Sequence, residues 1–310
     1  MFVVNYRKLF YALSGLLVIG SFVSIYLWGL NPGIDFKGGS ILEIEYASST
    51  RPIQSDLSTA LAPLNFDASI RATKDTGYII RMKNIDQEQK NSLDKVLTSF
   101  GSSTQTRFDS IGPLLGTEAL RKSYVSIIFV ILAIVLFIAF AFRKVSEPVS
   151  SWKYGIVAII ALVHDVIVPT GVFAILGHYR GYEVDTLFVT ALLVVLGFSV
   201  HDTIVVFDRV RENLSHAEGN KKAGKTFDQI VGDSISQTFT RSINTSLTTL
   251  LALIVLYFVG GESTQHFSLA LIIGIAVGTY SSIFLGSPLL VTIWKWQESR
   301  KVKGNKGGRK

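Results

Sequence analysis

The stretch S-V-H-D-T-I-V-V-F-D-R-V-R-E-N, Ser199 to Asn213, decides how the chain is read, because it places Asp202 at the end of a long apolar run. Leu187 to Phe198 offers hydrocarbon-compatible side chains with hardly a break, which predicts a membrane helix holding Asp202 in its cytoplasmic part. A charged side chain near the centre of such a helix costs roughly 2.5 to 3.5 kcal/mol on insertion scales, so the acid implies a functional or a paired group. The alternative is a structural carboxylate hydrogen-bonded between helices.

Composition widens this reading to the whole chain. With 48% hydrophobic and 17% charged residues over 310 positions, the sequence is too apolar for an ordinary soluble domain and fits a multi-span membrane protein. The absence of cysteine excludes disulfides, a thiol nucleophile and thiolate metal sites. A net charge of +7 raises the question of nucleic acid, but much of the excess sits in residues 298–310, with Arg300, Lys301, Lys303, Lys306, Arg309 and Lys310. That pattern predicts a disordered, solvated cytoplasmic tail touching anionic lipid or ribosomal RNA; no nucleic-acid partner is expected of the chain as a whole.

Outward from the central stretch, the sequence predicts six spans: Leu9 to Leu30, Tyr124 to Phe142, Ile156 to Leu176, Leu187 to Phe207, Ile243 to Val259 and Phe267 to Trp294. The first lacks a small-x-small cleavage site and reads as a retained signal anchor. Residues 1–30 thus hold the N-terminus and helix one, 31–120 a polar block, 121–297 helices two to six and 298–310 the tail. The polar block predicts strands at Ile41 to Tyr46, Ala68 to Thr73, Tyr78 to Met82 and near Thr104 to Phe108. Helices at Gln54 to Leu61 and Gln87 to Phe100 complete a β-α-β-β-α-β order. The fold class is therefore a multi-pass α-helical membrane protein with a small α+β, ferredoxin-like domain between its first two spans. Asp86 is the expected cap of the second domain helix, Gly101 its end, and Gly77 a turn residue. The pair Gly38 and Gly39 has no phosphate-binding pattern after it and predicts a tight turn or close backbone packing.

Basic residues set the orientation. Arg143, Lys144 and Lys153 lie between spans two and three, and Arg209, Arg211, Lys221, Lys222 and Lys225 between four and five. The other loops carry Arg180 as their one fixed positive charge. This predicts cytoplasmic termini and an extracytoplasmic domain.

Three spans hold groups that lipid alone does not tolerate: His164 and Asp165 in span three, His201, Asp202 and Thr203 in span four, and Arg241, Asn244, Thr245 and Thr248 on span five. The last four share one face at spacings of three and four, a polar stripe that must point into protein or water. The depths of Asp202 and Arg241 match, and an acid alternating between paired and unpaired states would make proton uptake depend on conformation. His164, Asp165, His201, Thr203, Asn244 and Thr245 are then proton-path or polar-core candidates. The two His-Asp pairs invite a metal reading, but adjacent helical residues point about 100° apart and no H-E-x-x-H spacing occurs, so no metal or other cofactor is expected. Gly274, Gly278, Ser282 and Gly286 form a small-residue ridge for close helix approach, inside the chain or against a partner.

The motifs D-F-K-G-G at Asp35 to Gly39, A-L-V-H-D-V at Ala161 to Val166, H-D-T-I-V-V-F-D-R-V-R-E-N at His201 to Asn213, and R-S-I-N-T-S-L-T-T-L at Arg241 to Leu250 together resemble the SecF family. That family comprises auxiliary subunits of the bacterial Sec export machinery within the resistance-nodulation-division superfamily. The resemblance implies an inner-membrane protein working with SecD, the SecYEG channel, a translocating preprotein, protons and lipids. Proton flow would be coupled to movements of the external domains late in export. It assigns proton transfer to Asp202 and Arg241, places the Asp35, Gly38 and Gly39 motif at the base of the external domain, and implies a transport subunit in place of an enzyme. Many members have Asn where this chain has His201. One half of a small-molecule exporter, or a non-conducting assembly scaffold, are the alternatives.

Overall fold

Backbone groups have no water to bond in hydrocarbon, so the apolar runs close their hydrogen bonds as helices. In this computed structural model, which describes residues 2–47, 51–73, 76–141, 151–219 and 224–307, six helical segments are long and apolar enough to cross a membrane. They are α2 (Arg7–Trp28), α6 (Pro113–Ala141), α7 (Ser151–Arg180), α8 (Thr186–Gly219), α9 (Phe227–Val259) and a composite last span. That last span comprises α10 (Glu262–Tyr280), a π-helical turn (Ser281–Gly286) and α11 (Ser287–Gly307). The chain divides into two units, one of residues 1–31 and 126–310, the other Pro32–Val125.

The helical unit has one apolar core, in which Tyr154, Leu162, Leu196, Phe207, Val210 and Val231 are buried. Small residues let its backbones approach. A Cβ on Gly171 of α7 would lie 2.5 Å from the Ser21 Cα of α2, and one on Gly274 of α10 would lie 2.2 Å from a Val195 methyl of α8. The predicted ridge on the last span therefore packs inside the chain. The π turn ends beside Pro288, which has no N–H for the Phe284 carbonyl, and the Ser287 hydroxyl and N–H both donate to the Ser282 carbonyl (hydroxyl at 2.8 Å).

Some differences from the sequence reading are positional. Span five begins as a helix at Phe227 rather than Ile243, where the Gln229 side chain accepts the Thr226 N–H at 2.9 Å. The tail expected to be disordered continues α11 as far as Gly307. Two short helices, α1 (Phe2–Asn5) and α3 (Ile34–Lys37), and the π turn carry no periodic signal of their own. Arg143, Lys144, Lys221, Lys222, Arg309 and Lys310 lie outside the described residues.

The second unit has the expected element order: β1 (Gly39–Tyr46), α4 (Gln54–Leu61), β2 (Ser69–Thr73), β3 (Gly77–Met82), α5 (Gln87–Ser99) and β4 (Ser103–Ile111). Its sheet has the order β2-β3-β1-β4 with every pairing antiparallel, the ferredoxin-like arrangement. Alternation sends Leu42, Ile44, Tyr46 and Ile80 to one face, where they pack with Leu57 and Leu61 of α4 and Leu93 and Leu97 of α5. Asp86 caps α5 as expected, its carboxylate accepting the Gln89 N–H (2.8 Å) while Gln89 accepts the Asp86 N–H (3.0 Å).

Tyr46 yields a prediction here. Burial first, and neighbouring Tyr78 second, push its hydroxyl up to about 12 from an ordinary 10. The neutral form is favoured in the folded state, so its contribution is intact below pH 10 and is lost as pH rises through about 12. Tyr46→Phe removes that alkaline step, and loses the hydrogen bond to the Leu97 carbonyl (3.0 Å), for about 1 kcal/mol at neutral pH. Alkaline unfolding followed by tyrosinate absorbance checks both.

Candidate functional site

On α8, consecutive residues differ in direction by about 100°, so His201 is exposed while Asp202 and Thr203 are buried at 2% exposure. The Asp202 carboxyl faces the hydroxyls of Ser242 and Ser246 on α9 and Thr279 on α10. Ser246 and Thr279 hydrogen-bond each other at 2.6 Å, and Ser246 also donates to the Ser242 carbonyl. Among the described residues, Asp202 Oδ2 and Ser242 Oγ are buried with no partner in strict hydrogen-bond geometry, though the two groups face each other. Two such polar atoms in one pocket are costly unless a proton or another polar group reaches them.

Thr203 turns to the π turn, where its hydroxyl meets Ser282 Oγ at 2.8 Å, and Ser282 in turn donates to the Ser199 carbonyl at 3.1 Å. His164 and Asp165 of α7 lie buried elsewhere in the same bundle, with Asp165 bound to Ser199 and Ser281.

Arg241 stands apart from this pocket. It is exposed together with Asn244 and Thr248, Thr245 is half-buried, and the guanidinium has no ion pair or hydrogen bond among the described residues. The expected Asp202–Arg241 pair is therefore not formed in this structure. The reason is angular: the buried stripe of α9 runs through Thr238, Ser242, Ser246 and Leu253, one residue around from Arg241. The sequence reading missed Ser242, Ser246 and Thr279 as neighbours of Asp202. Spacings of four through Thr238, Ser242 and Ser246 were the available signal.

The Asp35, Gly38 and Gly39 motif belongs to the other unit. Gly38 has φ +75° and Gly39 φ +137°. A Cβ on Gly38 would lie 2.8 Å from the Pro113 Cα, and one on Gly39 would lie 2.8 Å from the Met82 carbonyl oxygen. The reading of close backbone packing holds.

Residues 92–296 match the model described as protein export membrane protein SecD/SecF, C-terminal, and residues 29–50 match the SecD/SecF GG motif. The chain belongs to the SecD/SecF family. The first match carries Asp202 and Arg241, and the second carries Asp35, Gly38 and Gly39. Among family members, the chain is 45% identical to a protein translocase subunit SecF of Thermobaculum terrenum, over 97% of this chain and 96% of that one. It is 39% identical to the SecF of Anaerolinea thermophila, over 95% and 94% of the two chains. The crystal structure of a Thermus SecDF, titled a translocon-associated membrane protein, superposes with a TM-score of 0.79 at 29% identity. That match covers 94% of this chain and 38% of the SecDF chain, so the present chain corresponds to a minor part of the longer protein.

Proposed function

We propose that this chain is the SecF component of a Sec auxiliary unit in the bacterial inner membrane, and that with SecD it couples proton flow to late steps of preprotein export through the SecYEG channel. The observation that carries the reading is the buried Asp202 carboxyl, enclosed in the bundle and faced by the hydroxyls of Ser242, Ser246 and Thr279 instead of a fixed positive charge. An acid so placed has polar neighbours for a proton or a relaying group, at a depth where static charge is disfavoured.

Arg241, Asn244 and Thr248 form an exposed polar stripe on a helix apolar enough to span a membrane. Lipid leaves a guanidinium unsatisfied, so a partner with a carboxylate or carbonyl at that depth fits the stripe, and SecD is the family's partner for it. Asp202 and Arg241 are then the proton-transfer pair, with His201, Asn244 and Thr245 on the face turned to the partner and Thr203 in the polar core behind Asp202. The domain at Pro32–Val125 lies outside the cytoplasm and both termini lie inside, and lipid fills the remaining helix surface.

The experiment is export into inverted vesicles with an imposed proton gradient, with and without SecD. Gradient-dependent completion of translocation is expected only when both chains are present, and Arg241→Met is expected to abolish it while co-purification with SecD persists. An unchanged gradient response in Arg241→Met defeats the reading.

A further inference from the structure

The last span touches two buried acids. Thr279 faces Asp202, whereas Gly278, Tyr280 and Ser281, its immediate neighbours, surround the pair His164 and Asp165. Asp165 is fully buried in α7. Its Oδ2 accepts the Ser199 hydroxyl of α8 at 2.5 Å and the Ser281 hydroxyl of the π turn at 2.7 Å, while its Oδ1 lies 2.9 Å from His164 Nδ1. Pro169, four residues on, has no N–H for the Asp165 carbonyl, which adds a further acceptor to the place.

His164 is 3% exposed, and its Nε2 is buried with no hydrogen-bond partner. With Nδ1–H directed to the carboxylate, Nε2 of a neutral ring carries a lone pair. Other titratable groups near it are few. Tyr280 of α10 has its ring centroid 6.2 Å from that of His164, and its hydroxyl donates to the Phe10 carbonyl and accepts from Ser14 of α2. On α2, Tyr11 is engaged with Thr292. On α8, Asp202 lies three residues past Ser199 and faces Thr279, and Arg241 of α9 points out of the bundle.

We propose that His164 and Asp165 form a second proton-binding site, separate from Asp202, in which the proton resides on His164 Nε2 and the segment Gly278–Ser282 links its occupancy to the Asp202 pocket. The Nε2 lone pair takes a proton from hydronium, leaving water, and the imidazolium formed pairs with Asp165, so the pair gains one positive charge. No other bond is made or broken. Ser281 donates to Asp165 while Ser282 joins Ser199 to Thr203, so the π turn spans both sites. Turns of this kind gather at functional positions because their extra residue frees hydrogen-bonding groups.

The inference deepens the proton-coupling reading and rests on it for its purpose, but proton binding itself is measured without transport. Infrared difference spectra of the full chain in lipid across a pH series are expected to show a histidine ring titrating together with a perturbed carboxylate. The ring signal disappears in His164→Asn, the carboxylate signal in Asp165→Asn, and both persist in Asp202→Asn. Ser281→Ala keeps the signals and shifts the frequency of the carboxylate band, because it removes one hydrogen bond to that group. Should Asp165→Asn not fold, His164→Asn and Ser281→Ala decide. Spectra of His164→Asn identical to wild type overturn the site. Normal gradient-driven export in Asp202→Asn, with the His164 signal intact, overturns the coupling reading and leaves the site standing.

Discussion

On the proposed coupling, Asp202→Asn is expected to assemble with SecD, to leave the gradient-independent export unchanged, and to lose the gradient-dependent increment. The substitution conserves shape and much of the hydrogen-bonding capacity, so Ser242, Ser246 and Thr279 keep a polar neighbour and the helix contacts survive. What it removes is a group that binds and releases a proton. One elementary charge crossing the membrane releases roughly 2.3 kcal/mol per 100 mV, a bias of about 50-fold, and this sets the scale of the loss per proton. Ser242→Ala, which removes the facing hydroxyl while keeping the acid, is milder and changes the rate of the gradient response before its extent. The measurement is the yield of completed translocation in vesicles with and without an imposed gradient, alongside size-exclusion profiles of the purified variants. An Asp202→Asn chain that assembles and responds fully to the gradient marks the acid as structural.

Gly38→Ala is expected to destabilise the Pro32–Val125 unit strongly. The new methyl group meets the backbone of Pro113 at 2.8 and 2.9 Å, and no side-chain rotation relieves a clash with main chain. The positive φ adds strain of about 1 to 3 kcal/mol, and overpacking adds roughly 1 to 3 more. A small domain holds about 5 to 15 kcal/mol in total, so a large share of its stability goes. Gly112→Ala is the matched control, since a Cβ there meets nothing within 4 Å. Limited proteolysis of the full chain is expected to cut the Pro32–Val125 unit faster in Gly38→Ala and at the wild-type rate in Gly112→Ala. Equal rates in both variants refute the packing argument.

Much of this architecture was readable because its signals are local and periodic. Runs such as Leu187 to Phe198 announce helices by length and hydropathy, and alternation in Ile41 to Tyr46 fixes which side chains meet α4 and α5. The cap at Asp86 was legible for the same reason. What stayed hidden depends on rotation about helix axes. The stripe Arg241, Asn244 and Thr248 looked inward because charge in lipid is costly, yet it lies on the exposed face, and Ser242 and Ser246, unremarkable as letters, line the acid. The π turn was equally silent, since Pro288 alone predicts a kink and not which serines the kink presents to Asp165.

Helix α9 thus carries two kinds of chemistry a single residue apart. Hydroxyls face Asp202 now, and the guanidinium of Arg241 sits about 100° around the same cylinder at nearly the same depth. A turn of that size, with hardly any sliding along the axis, exchanges neutral donors for a full positive charge at the carboxyl. Azimuth on α9, more than height, therefore decides which charge the acid meets.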